Sequence, residues 1–226
     1  MLSSGLFEPP ESALSESQTS LRPKQARSLK TEQALLDALE TLLARKSFVD
    51  VTVSELAREA GLTTGAIYRR FKDKEDVLRA AFERFYESSS VRTLMNEADF
   101  PVGMTDQDVL EKYFSDLMHF TLDHIYLMRA ANHLNDAKSF ELMTEARTLS
   151  ADWLASRLKT STLQSNELQH RTRFVLRIAT ATFRDTFLAG TGAVDDIAQY
   201  EANNNAELKQ LTENLVTMTF AYLVLE

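Results

Sequence analysis

The side chains with the clearest recognition chemistry lie close together in one short segment of the sequence. Tyr68 carries a hydroxyl, and Arg69 and Lys72 carry positive charges, all of which bind phosphate oxygens. If this segment is a helix with Ile67 facing inward, a turn of about 100° per residue directs Gly65, Tyr68, Arg69 and Lys72 away from the core. Such a face is suited to the grooves and backbone of DNA.

The distribution of charge supports a nucleic-acid contact in this part of the chain. The whole chain has a net charge of -8, which by itself argues against a polyanionic partner. However, residues 22–79 hold 12 basic and 9 acidic side chains, whereas residues 80–226 hold 13 basic and 21 acidic ones. The basic excess therefore lies where a phosphate-facing module would need it.

Several catalytic chemistries are absent from the sequence. The chain has no Cys, which excludes a disulfide framework, a thiolate zinc site and a cysteine nucleophile. It has no phosphate loop, G-x-S-x-G or H-E-x-x-H motif. His119 and His124 are separated by about 140° on a helix, so they cannot form a two-histidine face, although His133 or His170 could join from other helices. We expect no enzyme, no metal and no cofactor.

Helices are the predicted elements throughout, because Gly and Pro are few and apolar residues recur at helical spacing. The first helix is predicted at residues 29–43. A capping box of Thr52 and Glu55 opens a second helix, Gly61 ends it, Thr63 caps a third and Asp73 caps a fourth. After a linker at residues 99–103, the remaining helices are predicted at residues 106–124, 125–135, 140–159, 167–189 and 195–225.

The fold class predicted from this pattern is all-α, with an N-terminal three-helix domain and a larger helical C-terminal domain. Residues 1–21 are rich in Ser and predicted to be a disordered tail. Residues 22–85 form the first domain and residues 86–226 the second. The start of the chain lacks a signal peptide, and no run of 18 apolar residues occurs, so we expect a cytoplasmic protein with no membrane partner.

The second and third helices have the composition of a helix-turn-helix. Ala57 is a small residue where two helices cross, Gly61 lies in the turn, and Ile67 is the branched residue that packs between them. A three-helix bundle needs the same residues for packing alone, and that alternative stays open. The remaining inward positions are predicted to be Val53, Leu56, Ala60, Leu62 and Phe71.

The segment TVSELAREAGLTTGAIYRRFKDKEDVL, residues 52–78, resembles the DNA-binding domain of the TetR family of bacterial regulators. It carries the T-x-x-x-[IL]-A-x-x-A-G pattern and a recognition helix that ends in Y-x-x-F. The resemblance implies that Thr64, Gly65 and Ala66 enter the major groove, that Tyr68 meets the backbone and that Lys74 binds a phosphate. The DNA-binding residues implied in this way are Thr52, Ser54, Thr63, Thr64, Gly65, Ala66, Tyr68, Arg69, Arg70, Lys72 and Lys74.

The first residues of the recognition helix, Thr-Thr-Gly-Ala, leave the operator sequence undetermined. They include no Arg, Lys, Gln or Asn able to make a bidentate base contact. Hydroxyl groups, methyl contacts to thymine and a guanine contact from Arg69 or Arg70 remain. Upstream, Arg22, Lys24 and Arg27 could follow a groove as a flexible arm.

The resemblance also implies a small-molecule site in the C-terminal domain. Met and aromatic side chains suit an adaptable apolar cavity, although the simpler interpretation of any single one is an ordinary core residue. The unknown effector is expected to be small and mostly apolar. The residues predicted for this pocket are Phe114, Met118, Met128, Phe140, Met143, Trp153 and Phe183.

In the family the last two long helices pair with their copies in a four-helix bundle, which implies a homodimer. The implied function is a repressor that a small effector releases from a pseudo-palindromic double-stranded DNA operator. An activator or an effector-independent DNA-bound dimer are the alternatives, and an enzyme is a further one. The interface residues predicted are Phe174, Ile178, Thr182, Leu211, Leu215, Met218 and Tyr222.

Overall fold

The computed structural model describes residues 15–87, 92–134, 137–159, 161–189 and 197–224. Every regular element in these ranges is a helix, which confirms the predicted all-α fold. Short 3₁₀ turns at Phe48–Asp50 and Glu97–Asp99 join some of them. The helices are α1 (Ser15–Leu43), α2 (Val53–Glu59), α3 (Thr64–Tyr68), α4 (Lys74–Glu87), α5 (Asp106–Asp123), α6 (Ile125–Ala131), α7 (Ala137–Arg157), α8 (Ser165–Ala189) and α9 (Ile197–Leu223).

Helix α1 is longer than its apolar pattern predicts. The periodic apolar residues start at Leu29, but the helix begins at Ser15, so the expected disorder is wrong for residues 15–21. Glu, Gln, Lys and Arg recur in this segment and are good helix formers, so they favour a helix where the apolar pattern is missing. Residues 1–14, the rest of the predicted tail, lie outside the described residues.

The N-terminal core lies where α1 packs against α2 and α4. Leu35 and Leu39 of α1 and Leu78 of α4 are almost completely buried there. Leu127 and Ala130 of α6 belong to the same apolar cluster. The first domain is therefore not closed on itself, because the C-terminal part of the chain completes its core.

The C-terminal core is built by two packed helix pairs, α5 with α9 and α7 with α8. Phe114 of α5 and Phe183 of α8 are fully buried within it. The carboxylate of the buried Asp106 accepts hydrogen bonds from the backbone N–H of Lys159 at 2.9 and 3.1 Å, which ties the start of α5 to the end of α7. The two helix pairs are therefore joined at this end of the domain.

Helix boundaries in the second domain follow the predicted ones to within a few residues. Thr105 opens α5 with a capping box to Asp108, and Gly103 takes a positive φ of 115° in the preceding linker. Helix α9 runs without a break through the three consecutive Asn at 203–205. The predicted break at residues 190–192 and the cap at Asp195 lie outside the described residues.

No helix in the described ranges has an apolar stretch long enough to cross a membrane.

Candidate nucleic-acid interface and effector cavity

Hydrogen bonds within three residues set where α2 and α3 begin. The Thr52 hydroxyl accepts from the Glu55 N–H at 3.2 Å, while the Glu55 carboxylate accepts from the Thr52 N–H at 3.0 Å. The Thr63 hydroxyl accepts from the Ala66 N–H at 3.2 Å at the start of α3. Gly61 lies between the two helices with a φ of 65°, a left-handed conformation that disfavours a side chain. The predicted caps and turn are confirmed.

The Lys46 ammonium reinforces this boundary. It donates to Glu55 Oε1 at 2.7 Å and to the carbonyl of Asp50 at 3.0 Å. This contact with Lys46, followed by the hydrogen bonds from Thr52, lowers the pKa of Glu55 to about 2. The carboxylate is therefore charged at neutral pH and holds the entry to α2 in place.

The angle between α2 and α3 is fixed by a small apolar contact. Leu56, Ala57 and Ile67 are buried in the N-terminal core, as the sequence predicts. The other predicted inward residues pack against the same cluster while partly buried, namely Val53, Ala60, Leu62 and Phe71. The helix-turn-helix geometry thus follows from the predicted inward set.

The opposite side of α3 is open to solvent. Tyr68 is 58% exposed, although its neighbour Ile67 is buried. Ala66 is half-buried, so it contributes less surface than expected. The other exposed predicted contact residues are Thr52, Ser54, Thr63, Thr64, Gly65, Arg69 and Lys72. Their contacts with DNA stay a prediction, on a face that the fold leaves accessible.

Gly65 has no packing role inside the protein. A Cβ atom built on it meets no other atom within 4 Å, and its φ is not in the left-handed region. Nothing inside the domain therefore requires a glycine at the second position of α3. The predicted close approach of DNA to this backbone would be compatible with the missing side chain, and it stays a prediction.

Arg70 does not point to the predicted DNA face. Its guanidinium donates to the backbone carbonyl of Ser28 at 2.8 Å and to the Ser28 hydroxyl, and it lies 3.5 Å from a carboxylate oxygen of Glu32. These contacts join the end of α3 to α1. The predicted base contact of Arg70 is therefore wrong in this arrangement, because both terminal nitrogens of its guanidinium are directed to Ser28 and Glu32 of α1.

Lys74 also differs from the prediction. Its ammonium donates to the carbonyls of Phe48 at 2.9 Å, Val49 at 2.9 Å and Val51 at 3.0 Å, and it lies 4.7 Å from the Phe48 ring centroid. An ammonium has three N–H donors, and all three are used. The predicted phosphate contact is wrong for this geometry, since Lys74 fixes the turn before α2.

A cavity of about 550 Å³ lies between α4, α5, α6, α7 and α8. Its volume is within the range of about 300–1,000 Å³ that is usual for small-molecule sites. Buried apolar and aromatic side chains form its floor, among them Phe82, Tyr113, Leu117 and Leu176. Burial raises the pKa of Tyr113 to about 12, with an opposing effect from its hydrogen bond to Ser150. The lining is thus mostly apolar and uncharged at depth.

Three of the seven predicted pocket residues line this cavity, and four do not. Met128, Phe140 and Met143 are at its wall. The prediction is wrong for the others because an inward-facing residue can belong to a solid core instead of a cavity. Phe114, Met118 and Phe183 are buried in that core, and Trp153 packs against it, with its ring 4.8 Å from Phe100.

Three arginines that the sequence reasoning missed also line the cavity: Arg147 of α7 and Arg177 and Arg184 of α8. Burial, followed by the positive charge of Arg177, lowers the pKa of Arg147, and Arg184 adds to this effect. Burial raises the pKa of Tyr86 to about 12, against a smaller opposing effect of Arg147. The seven-residue spacing of Arg177 and Arg184, on one helix face, was the available signal.

The cavity is connected to the candidate DNA-binding face through α4. Phe82 and Tyr86 of α4 line the cavity, and this helix begins shortly after α3 ends. Phe85 of α4 stacks on Phe120 at 5.4 Å and lies 4.8 Å from the His124 ring. The helix that follows the recognition helix therefore forms part of the cavity wall.

An apolar patch remains exposed on α8 and α9. Phe174 is 52% exposed, Met218 and Tyr222 are each 41% exposed, and the rings of Phe174 and Tyr222 are 6.2 Å apart. Ile178, Thr182 and Leu211 are half-buried. Leu215 is wrong as an interface residue because it is buried in the core of its own chain.

Within the part of the chain that the structure describes, no group of three or more His, Asp or Glu could hold a metal ion. The Nδ1 atoms of His119 and His124 lie 2.8 Å from the carbonyls of Ser115 and Phe120, one turn earlier. His133 lies beside Phe48, with the ring centroids 5.5 Å apart. These histidines are engaged in local packing.

Residues 35–81 match the family model described as bacterial regulatory proteins, tetR family. The chain is similar to the uncharacterized HTH-type transcriptional regulator YerO of Bacillus subtilis (strain 168), with 34% identity over 83 residues, 37% of this chain and 28% of that protein. It is also similar to the HTH-type transcriptional regulator AcrR of Shigella flexneri, with 34% identity over 71 residues, 31% of this chain and 33% of that protein. The matches thus span about a third of the length of each of these relatives.

The fold extends the likeness beyond the N-terminal domain. A TetR transcriptional regulator from Rhodococcus sp. RHA1 superposes with a TM-score of 0.51 and 14% identity, over 84% of this chain and 97% of that one. At this identity the likeness concerns the fold alone. The helical C-terminal domain therefore has a fold similar to that of this regulator.

Proposed function

We propose, from the premise that the N-terminal domain of this chain belongs to the TetR family, that the whole protein is a dimeric transcriptional repressor. In this proposal two copies bind a pseudo-palindromic operator, and a small molecule in the cavity releases them from it. The protein would act in the cytoplasm, where bacterial DNA is accessible. It would need no cofactor and catalyse no reaction.

The observation that carries the proposal is the contrast between Tyr68 and Ile67. Ile67 anchors α3 in the core, and Tyr68 is 58% exposed beside Gly65, with Arg69 and Lys72 on the same open side. A hydroxyl, two cations and an unobstructed backbone are the groups that contact phosphates and groove edges. Arg70 and Lys74 support them by fixing α3 and the turn before α2.

The exposed apolar patch on α8 and α9 supports a homodimer. Exposed Phe174, Met218 and Tyr222 on neighbouring helices make a patch that a second copy can cover by two-fold symmetry. The two recognition helices would then read half-sites about 34 Å apart, one turn of DNA. The half-site sequence is not specified by Thr64, Gly65 and Ala66.

Helix α4 supports coupling between the two sites. A ligand against Phe82 and Tyr86 would favour one position of α4, and that position sets the separation of the two α3 helices. Effector and operator must then oppose each other by the same factor. A ligand with equal affinity for both positions of α4 would release nothing.

The decisive experiment is selection of bound sequences from random double-stranded DNA with the full-length chain. We expect a pseudo-palindrome with half-sites one turn apart. Tyr68→Ala is expected to weaken binding to the selected site by about tenfold or more. The matched control is Leu149→Ala in the C-terminal domain, a residue 60% exposed, which should bind like wild type.

Repression is tested separately, with the selected site placed over a promoter in a reporter strain. We expect the wild-type protein to lower expression and Tyr68→Ala to restore it. Increased expression would establish an activator instead, and selection of no sequence would overturn DNA recognition by this domain.

A further inference from the structure

The cavity has two chemically different ends. Its floor is formed by buried Phe82, Tyr113 and Leu176. Arg147 is half-buried in its wall, and the exposed Arg177 and Arg184 lie where it meets solvent. A ligand that fills the cavity would therefore place one end against apolar surface and the other end among guanidinium groups.

The arginines have no acidic partner in the cavity. Its lining contains neither Asp nor Glu among the described residues, and no ion pair joins any of the three arginines to a carboxylate of the described chain. By contrast, two other arginines of α8 have acidic partners. Arg171 is paired with Glu167, and Arg173 is paired with Asp152. Arg147 is the half-buried member, and burial together with the charges of Arg177 and Arg184 disfavours its charged form, because a cation beside like charges without a counter-ion is repelled and loses solvation.

We propose that the effector is an organic anion, with an apolar body that occupies the floor and a carboxylate or phosphate group that binds Arg147, Arg177 and Arg184. Planar guanidinium groups bind both acidic groups through paired hydrogen bonds. Only the statement that this ligand acts as an effector rests on the proposed function. The binding preference itself requires only the cavity and its charges.

Isothermal titration calorimetry of the full-length chain tests the preference with probes that share one body. The probes are decanoate, decyl phosphate, 1-decanol and decylamine. We expect at least one of the two anions to bind about tenfold or more tightly than the alcohol, and decylamine to bind most weakly. Decanoate and decyl phosphate together identify the acidic group that the arginines prefer.

Variants of the cavity arginines test whether the preference for anions arises in the cavity. Arg147→Gln and Arg184→Gln are each expected to weaken anion binding by about ten- to hundredfold and to leave the affinity for 1-decanol within about threefold. Arg173→Gln, which breaks an ion pair on the same helix outside the cavity, is the matched control and should bind like wild type. Circular dichroism establishes that each variant is folded.

The inference is overturned if 1-decanol or decylamine binds as tightly as both anions, if no probe binds, or if Arg173→Gln loses as much affinity as Arg147→Gln. Its failure is separable from that of the proposed function. Anions that bind but leave the operator bound contradict effector release alone, whereas release by 1-decanol at a lower concentration than by either anion contradicts the anionic preference alone.

Discussion

Lys74 holds Phe48 by both its side chain and its backbone, because the ammonium lies 4.7 Å from the ring centroid and donates to the Phe48 carbonyl at 2.9 Å. It also donates to the carbonyls of Val49 and Val51. The turn before α2 is therefore fixed from the first residue of α4. A residue close to the recognition helix thus contributes to the shape of the domain.

Lys74→Met is expected to lower the free energy of unfolding by about 2 kcal/mol, because it leaves three carbonyls without their charged donor. For a chain of this size that corresponds to a fall in melting temperature of about 4–8 °C, measured by circular dichroism. Lys72→Met, at an exposed residue, is the control. It should keep its melting temperature and lose DNA affinity, most clearly at low salt. Equal melting temperatures for both variants would contradict the structural role of Lys74.

These contacts show how far the sequence alone predicts the site. The caps by Thr52 and Thr63 were predictable, because each hydrogen bond joins residues three positions apart. The contacts of Lys74 with Phe48 and of Arg70 with Ser28 join residues 26 and 42 positions apart, and no local pattern determines such contacts. A cation near a recognition helix is compatible with both a phosphate and a distant carbonyl.

The cavity was predicted less well for a related reason. Helical period indicates which side of a helix is inward, and it placed Phe114 and Phe183 inward correctly. It does not indicate where neighbouring helices leave a gap, which depends on how α7 and α8 cross α5. The arginines were missed because Arg177 and Arg184 lie beside the inward face, where a charge usually indicates solvent.

The stability of the chain should depend on Glu55 in acid. Its pKa is lowered to about 2 in the folded state from an ordinary value of 4.5, so the unfolded chain takes up a proton first as the pH falls. The stabilisation it provides is present above about pH 5 and is lost towards pH 2. Urea unfolding measured across this pH range should show a smaller loss in the free energy of unfolding for Glu55→Gln and for Lys46→Met than for wild type. If the free energy of unfolding falls equally with pH in all three proteins, this contribution of Glu55 is excluded.

The exposed patch on α8 and α9 predicts the oligomeric state. Phe174→Glu places a charge at a position that is 52% exposed in the single chain, beside Tyr222. The charge should change the stability of a monomer little, but it should strongly weaken a dimer in which this position is buried. We expect wild type to sediment as a dimer and Phe174→Glu as a monomer at micromolar concentration. Leu149→Glu, at a residue 60% exposed on α7, is the control and should stay dimeric. A monomeric wild type contradicts this interface.

Arg147 is expected to cost stability when the cavity is empty. Burial and the charge of Arg177 lower the pKa of Arg147, which means that its charged form is disfavoured there. Arg147→Gln removes that charge and should raise the melting temperature of the ligand-free protein by about 2 °C. Decanoate should then stabilise wild type more than the variant. A large fall in melting temperature for Arg147→Gln would indicate a packing role instead.

Gly65 and Gly61 give a test in which two similar changes have opposite effects. A methyl group at Gly65 meets nothing within the protein, and Ala is a better helix former, so Gly65→Ala should raise the free energy of unfolding by up to about 1 kcal/mol. The same methyl group stands on the face proposed to approach DNA, so affinity for the selected operator should fall by about tenfold.

Gly61→Ala should instead lower stability by about 1 kcal/mol, because its φ of 65° disfavours a side chain. Urea unfolding and fluorescence anisotropy of labelled operator measure the two quantities. If Gly65→Ala binds the operator like wild type, the close approach of DNA to this backbone is wrong, and the glycine has no role in recognition.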